Sequence, residues 1–225
     1  MRLRYFEWDE AMIDEVAKNI KIAYDTVSKY TGRTTKQKFL VRMSPTFQTI
    51  TGRFGIGTGA TYNSSLKMTS IPSPESFLGT FTGTRVSELS DTLQHEFTHM
   101  LVDDALYPRG TIWWVNEAFA HYFSKDLRPT TVKASLGVKV FTLKELLQLE
   151  NQDVTDRQTD LYMRAQGTVA VQYMVEKLGS REKAWEWLIY EAEARDFNQS
   201  FQKIFGLNYD QFEKGWQEFM LQKYK

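Results

Sequence analysis

The 225-residue chain contains no cysteine, which excludes thiolate catalysis, zinc–thiolate sites and disulfides. It carries no excess charge of either sign: 28 Lys and Arg stand against 28 Asp and Glu. A nucleic-acid groove or a polybasic membrane surface would leave a positive surplus, so neither partner is expected. No apolar run approaches the roughly 18 residues a membrane span needs, and none is expected. Met1 to Lys18 carries acids and lacks an apolar core, so it does not read as a signal peptide; the native compartment and the oligomeric state stay open. Internal repeats, low-complexity tracts and long linkers are absent too. What the chain does have is apolar and aromatic mass: 42% hydrophobic residues, with 15 Phe, 11 Tyr and 6 Trp. At about 150 residues per domain, this predicts one large domain or two joined lobes with a core of their own.

The chain changes character near residue 84. Before it, Arg2–Trp8 alternates as an opening strand. From Asp9, Ile13, Val16, Ile20, Ala23, Val27 and Tyr30 recur at helical spacing until Gly32 stops them. Phe39–Met43 reads as a short strand. Ser44–Gly83 is rich in Gly, Ser, Thr and Pro, with strand-like islands at Ala60–Tyr62 and Leu66–Thr69. After it, helices are expected at Ser87–Ala105, Trp113–Ser124, Leu143–Glu150, Arg157–Leu178, Arg181–Ala194, Gln199–Phe205 and Asp210–Lys223. Gly179 and Gly206 stand at helix stops. Trp185, Trp187, Phe201, Phe205, Phe212, Trp216 and Phe219 read as core side chains of this helical layer.

Chemistry concentrates at His95-Glu96-Phe97-Thr98-His99, an H-E-x-x-H pattern. With 3 His and 16 Glu in the chain, about 0.003 such matches are expected by chance. On a helix the two imidazoles fall about 40° apart and one turn along the axis, so both can meet one metal ion. Glu96 lies between them in angle, placed to reach a water rather than the metal. Leu89, Leu93, Phe97, Met100 and Leu101 form a stripe on the other side, to be buried. A catalytic zinc usually takes three protein ligands and a water. Asp103 lies about 12 Å along the axis from His95 and cannot share its metal. Glu117 is the better third ligand, on a second helix (Trp113-Trp114-Val115-Asn116-Glu117-Ala118-Phe119-Ala120) that follows a reversing turn at Tyr107–Gly110.

His95-Glu96-x-x-His99 followed by Trp114-Val115-Asn116-Glu117-Ala118-Phe119-Ala120 resembles the gluzincin metallopeptidases. The likeness is to the Peptidase MA-like group, related to the aminopeptidase-N type, over about Gly55 to Phe219. A metzincin is excluded, because the positions of its next histidine and of its glycine are Ala105 and Val102. The resemblance implies an α+β, zincin-like fold in a single metallopeptidase domain, 1–225. Residues 1–105 would form a small N-terminal sheet lobe with the zinc-binding helix, and 106–225 a helical C-terminal lobe. It implies one zinc per chain on His95, His99 and Glu117, with Glu96 as general base. Tyr162, opening a helix as in the family's tyrosine-bearing segment, would be the hydrogen-bond donor to the developing oxyanion. Three departures stand out. Seventeen residues separate His99 from Glu117, one fewer than in the aminopeptidase-N relatives; Ala118 replaces a common glycine; and Ser124 replaces a common acid. His121, four residues past Glu117, reads as a cleft-edge residue or a partner of the metal ligands.

The resemblance implies hydrolysis of a peptide or protein substrate, with the Ala60–Thr69 region offering an edge strand for an extended peptide. In aminopeptidase-N relatives a glutamate in a Gly-x-Met-Glu-Asn strand grips the substrate's amino terminus. The similar run Gly59-Ala60-Thr61-Tyr62-Asn63 has Tyr62 at that position. A phenol supplies no charge for an ammonium group, so internal cleavage is expected rather than release of N-terminal residues. Two other readings remain: a gluzincin-fold binding module that no longer cuts, and a metal-dependent hydrolase of non-peptide bonds.

Overall fold

A computed structural model describes residues 1–45, 60–73, 89–147 and 156–225, the side chain of Asp91 apart. The opening strand is shorter than the alternation predicts: β1 spans Arg2–Arg4. The chain then tightens into a 3₁₀ turn at Glu7–Met12, which buries Asp9. Ser73 Oγ donates to Asp9 Oδ1 at 2.6 Å, and Trp8 Nε1 donates to Ser73 Oγ at 3.3 Å. These polar contacts hold the segment off the sheet. Helix α1 (Ile13–Thr31) follows the predicted period, with Val16, Ile20, Ala23 and Val27 at 0–1% exposure. Burying each of the three larger side chains contributes about 1.5–3 kcal/mol. Gly32 closes the helix at φ 69°, a left-handed conformation that favours glycine.

Strands β2 (Leu40–Ser44), β3 (Thr61–Asn63) and β4 (Met68–Pro72) join β1 in one sheet of order β1-β2-β4-β3. The β1–β2 and β2–β4 pairs are parallel, and β3 runs antiparallel along β4 at an edge of the described sheet. The island expected at Leu66–Thr69 begins later. Asn63 Oδ1 accepts from Leu66 N at 2.9 Å, and Lys67 adopts φ 47°, so Leu66 and Lys67 form the turn instead. Most of the Ser44–Gly83 stretch, Gly59 included, lies outside the described residues, as do the expected start of the next helix at Ser87 and the end of the segment predicted to reach Glu150.

Helix α2 (Leu89–Leu106) carries the His-Glu-x-x-His run. Its apolar stripe is buried as the pattern predicts: Leu89, Leu93, Phe97, Met100 and Leu101 are 0–2% exposed. Phe97 meets the Phe39 ring edge-on at 5.5 Å and the Tyr24 ring at 6.2 Å. That aromatic contact seats α2 among α1 and the residues entering β2, and fixes which face it turns outward. The fold class is mixed α+β, and the chain divides into two compact units, Met1–Asp104 and Ala105–Lys225.

The second unit is helical in its described residues. Helix α3 spans Trp113–Phe123, α4 Pro129–Leu136 and α5 Leu143–Leu146. Helix α6 (Arg157–Tyr173) runs on into a π turn at Met174–Leu178, and α7 (Arg181–Ala194), α8 (Phe197–Phe205) and α9 (Tyr209–Tyr224) complete it. Helix α4 was not expected; its Pro129 looks like a breaker but occupies the first turn, where proline's missing N–H costs nothing. Trp185, Trp187, Phe201, Phe212, Trp216 and Phe219 are buried, while Phe205 is half-buried. Phe201 and Phe212 stack with ring centres 3.8 Å apart. Where α3 meets α6, an added Cβ on Gly167 would stand 3.2 Å from Trp114 Cε3, so the glycine sets how closely these helices pack. Gln166, fully buried, donates to Ser135 Oγ and Lys139 O and accepts from Phe141 N, which ties α4 and the loop before α5 to α6. No described helix is long and apolar enough to cross a membrane.

Candidate metal centre

In the first unit, burial of the Phe97 face leaves the opposite face of α2 for the histidines. His95 Nε2 and His99 Nε2 lie 3.0 Å apart, with ring planes at 81° and ring centres 4.7 Å apart. The Nε2–Nε2 separation is a hydrogen bond between the rings, and it lies close to the roughly 3.3 Å that two nitrogens bound tetrahedrally to one zinc at about 2.05 Å would keep. His99 is 9% exposed and His95 more open. Between them in sequence, Glu96 is also 9% exposed, and its carboxylate has no hydrogen-bond or ion-pair partner among the described residues.

The C-terminal end of α2 is engaged otherwise. Tyr62 Oη donates to Asp103 Oδ2 at 2.8 Å, Lys67 Nζ pairs with the same carboxylate, and Thr35 Oγ1 donates to Asp104. Burial, then the hydrogen bond to Asp103, pushes the Tyr62 phenol well above its ordinary range, so it stays neutral. Tyr62 therefore ties β3 to α2 as a neutral phenol.

In the second unit, Glu117 sits on α3 between buried Trp114 and Val115 on one side and Ala118 and Phe119 on the other. The methyl of Ala118 is accommodated at 0% exposure. Glu117 itself is 12% exposed at its side chain, and Arg164 Nη1 donates to its Oε2 at 2.6 Å. Arg164 is held on two further sides: its Nε donates to Asp160 Oδ2 at 2.8 Å, and its guanidinium lies 4.3 Å over the Trp113 ring. His121 Nε2 stands 3.8 Å from Glu117 Oε2, while its Nδ1 lies 2.6 Å from Asp126 Oδ1. His121 thus belongs to the surroundings of Glu117, and Asp126 is the acid that pairs with it; Ser124 caps the helix end, its Oγ donating to His121 O at 3.4 Å.

Tyr162 is half-buried on α6, and its hydroxyl has no hydrogen-bond partner among the described residues. It precedes Arg164 by two positions, which places it about 200° round the helix from the side chain that grips Glu117. Arg164, Asp160 and Asp126 were not singled out from the sequence. The i, i+4 spacing of Asp160 and Arg164 was a visible signal for their ion pair, but nothing local linked it to Glu117.

The described residues thus include histidine and carboxylate donors suited to holding a metal ion: His95 and His99 in the first unit, Glu117, His121 and Asp126 in the second. Comparison with family models, with curated proteins and with solved structures gave no match.

Proposed function

We propose that this chain is a zinc-dependent metallopeptidase of zincin-like fold, in which His95, His99 and Glu117 hold the metal. The observation that carries the reading is the His95–His99 pair: two imidazole nitrogens 3.0 Å apart on one helix face, beside a Glu96 carboxylate that has no partner among the described residues. Zinc, when bound, would polarise the substrate carbonyl and lower the pKa of a water toward about 7.

The chain's own residues do the rest. Glu96 takes a proton from the attacking water and passes it to the leaving amine, because its carboxylate has no bond to any described residue to break first. Tyr162 donates a hydrogen bond to the carbonyl oxygen as negative charge builds there. Arg164 and His121 both meet Glu117 at its Oε2 and so fix the orientation of that carboxylate. Strand β3, at the edge of the sheet among the described residues, would offer backbone groups to an extended peptide. Tyr62 on that strand is committed to Asp103, so an ammonium terminus finds no anchor in it, and internal cleavage is the expected mode.

The test is Glu96→Gln. The amide cannot accept the water's proton, so hydrolysis of casein should fall by about 10²–10⁴-fold or more while bound zinc and the thermal midpoint stay at wild-type levels. Retained hydrolysis with the amide in place would move the base elsewhere. A protein that binds zinc yet cuts neither casein nor a broad peptide library in its wild-type form would favour a binding role for the same fold.

A further inference from the structure

A cleft of about 410 Å³ opens within the second unit, lined from the end of α3, the segment after it, α4 and α6. Four charged side chains besides His121 line it: Asp126, Arg128, Arg157 and Arg164. Two of these charges are already answered. Arg164 is paired with Glu117 and Asp160, and Asp126 with His121. Arg128 and Arg157 are different, since neither guanidinium has a hydrogen bond or an ion pair to any described residue. Both side chains are exposed, and two guanidinium groups lining one recess make it favourable to an anion.

The remaining lining narrows the choice of anion. Leu127, Leu161 and Ala165 give the recess an apolar wall, and Leu161 is a large apolar side chain left 49% exposed among the described residues. A bare inorganic ion would leave that wall wet. A carboxylate on a short aliphatic stem would cover it and present a planar pair of oxygens to two guanidinium forks. Position matters as well: Arg164 lines the cleft and holds Glu117 with the same guanidinium, so the recess lies one side chain from that residue.

We propose that this cleft binds a carboxylate group of the peptide substrate, through Arg128 and Arg157. That the ligand is a substrate rests on the metallopeptidase reading; that it is a carboxylate does not. Two sources share the chemistry, an Asp or Glu side chain near the cut bond and a free peptide C-terminus.

The experiment uses the full chain stripped of metal by a chelator, so binding is read without catalysis. Arginine Nε–Hε resonances of ¹⁵N-labelled protein, assigned through Arg128→Gln and Arg157→Gln, are followed on titration with three probes. N-acetylglutamic acid α-methylamide carries a side-chain carboxylate, N-acetylalanine a terminal one, and N-acetylglutamine methylamide none. The expected result is a saturable shift of both resonances, with at least one acid binding about tenfold or more tightly than the neutral amide. Each single variant should lose several-fold in that affinity and the double variant nearly all of it, at an unchanged thermal midpoint. Whichever acid binds tighter identifies the source. Equal affinity for acid and amide, or full affinity in the double variant, would overturn the proposal. Carboxylate binding in a chain that cuts no peptide when loaded with zinc would defeat the peptidase reading alone. Cleavage without carboxylate binding would defeat the cleft alone.

Discussion

Arg164→Gln tests the surroundings of Glu117 through stability. The substitution removes one cation from two carboxylates that are nearly out of water, Glu117 at 12% and Asp160 at 6% side-chain exposure. Breaking a fully buried pair from one side costs about 3–5 kcal/mol. Arg164 is 19% exposed and water reaches its outer edge, so the estimate is discounted to about 2–4 kcal/mol, with loss of the stack on Trp113 included. For a unit the size of Ala105–Lys225 that amounts to a fall of roughly 6–16 °C in thermal midpoint, read by circular dichroism on chelator-treated protein. If Glu117 ligates zinc, the metal replaces the lost positive charge on that carboxylate, so the deficit should shrink in the loaded protein. Arg164→Lys should recover part of the loss, because an ammonium keeps the charge without the two-sided fork. A metal-free Arg164→Gln protein melting within about 2 °C of wild type would refute the reasoning, since the paired geometry would then contribute almost nothing.

Tyr162→Phe should lower turnover by about 10²–10³-fold with substrate binding little changed, because one oxyanion donor is lost. Near-wild-type turnover would assign Tyr162 to packing and leave Arg164 as the functional side chain of that helix. Given a long peptide with its amino terminus free or acetylated, the zinc-loaded chain should yield the same internal fragments by mass spectrometry. Single residues released only from the free form would sink the internal-cleavage reading.

Much of what orients the candidate site was legible because it depends on helical period. The stripe from Leu89 to Leu101 predicted which face of α2 would be buried, and thereby which face would carry His95 and His99. The aromatic core of the second unit was legible for the same reason, down to Trp216. Strand limits were less so, because they turn on single contacts: the Ser73–Asp9 bond that pulls the chain out of β1, and the Asn63–Leu66 turn that delays β4. Helix α4 escaped notice because a proline at a helix start and a proline that breaks a helix look alike in sequence. Arg164 escaped for a different reason. Its partner Glu117 is 47 positions away, and pairings between helices leave no periodic trace.

Metal content is the most direct test of the central claim. Purified wild-type protein, dialysed against trace zinc and assayed by mass spectrometry of the metal, should hold one zinc per chain. His95→Ala, His99→Ala and Glu117→Ala should each weaken that binding by orders of magnitude while the fold persists, since a chain of this length keeps its own core. Stoichiometric zinc in Glu117→Ala would move the third ligand to another side chain, with His121 the first to examine. Wild-type zinc retention in His95→Ala or His99→Ala would contradict the account outright.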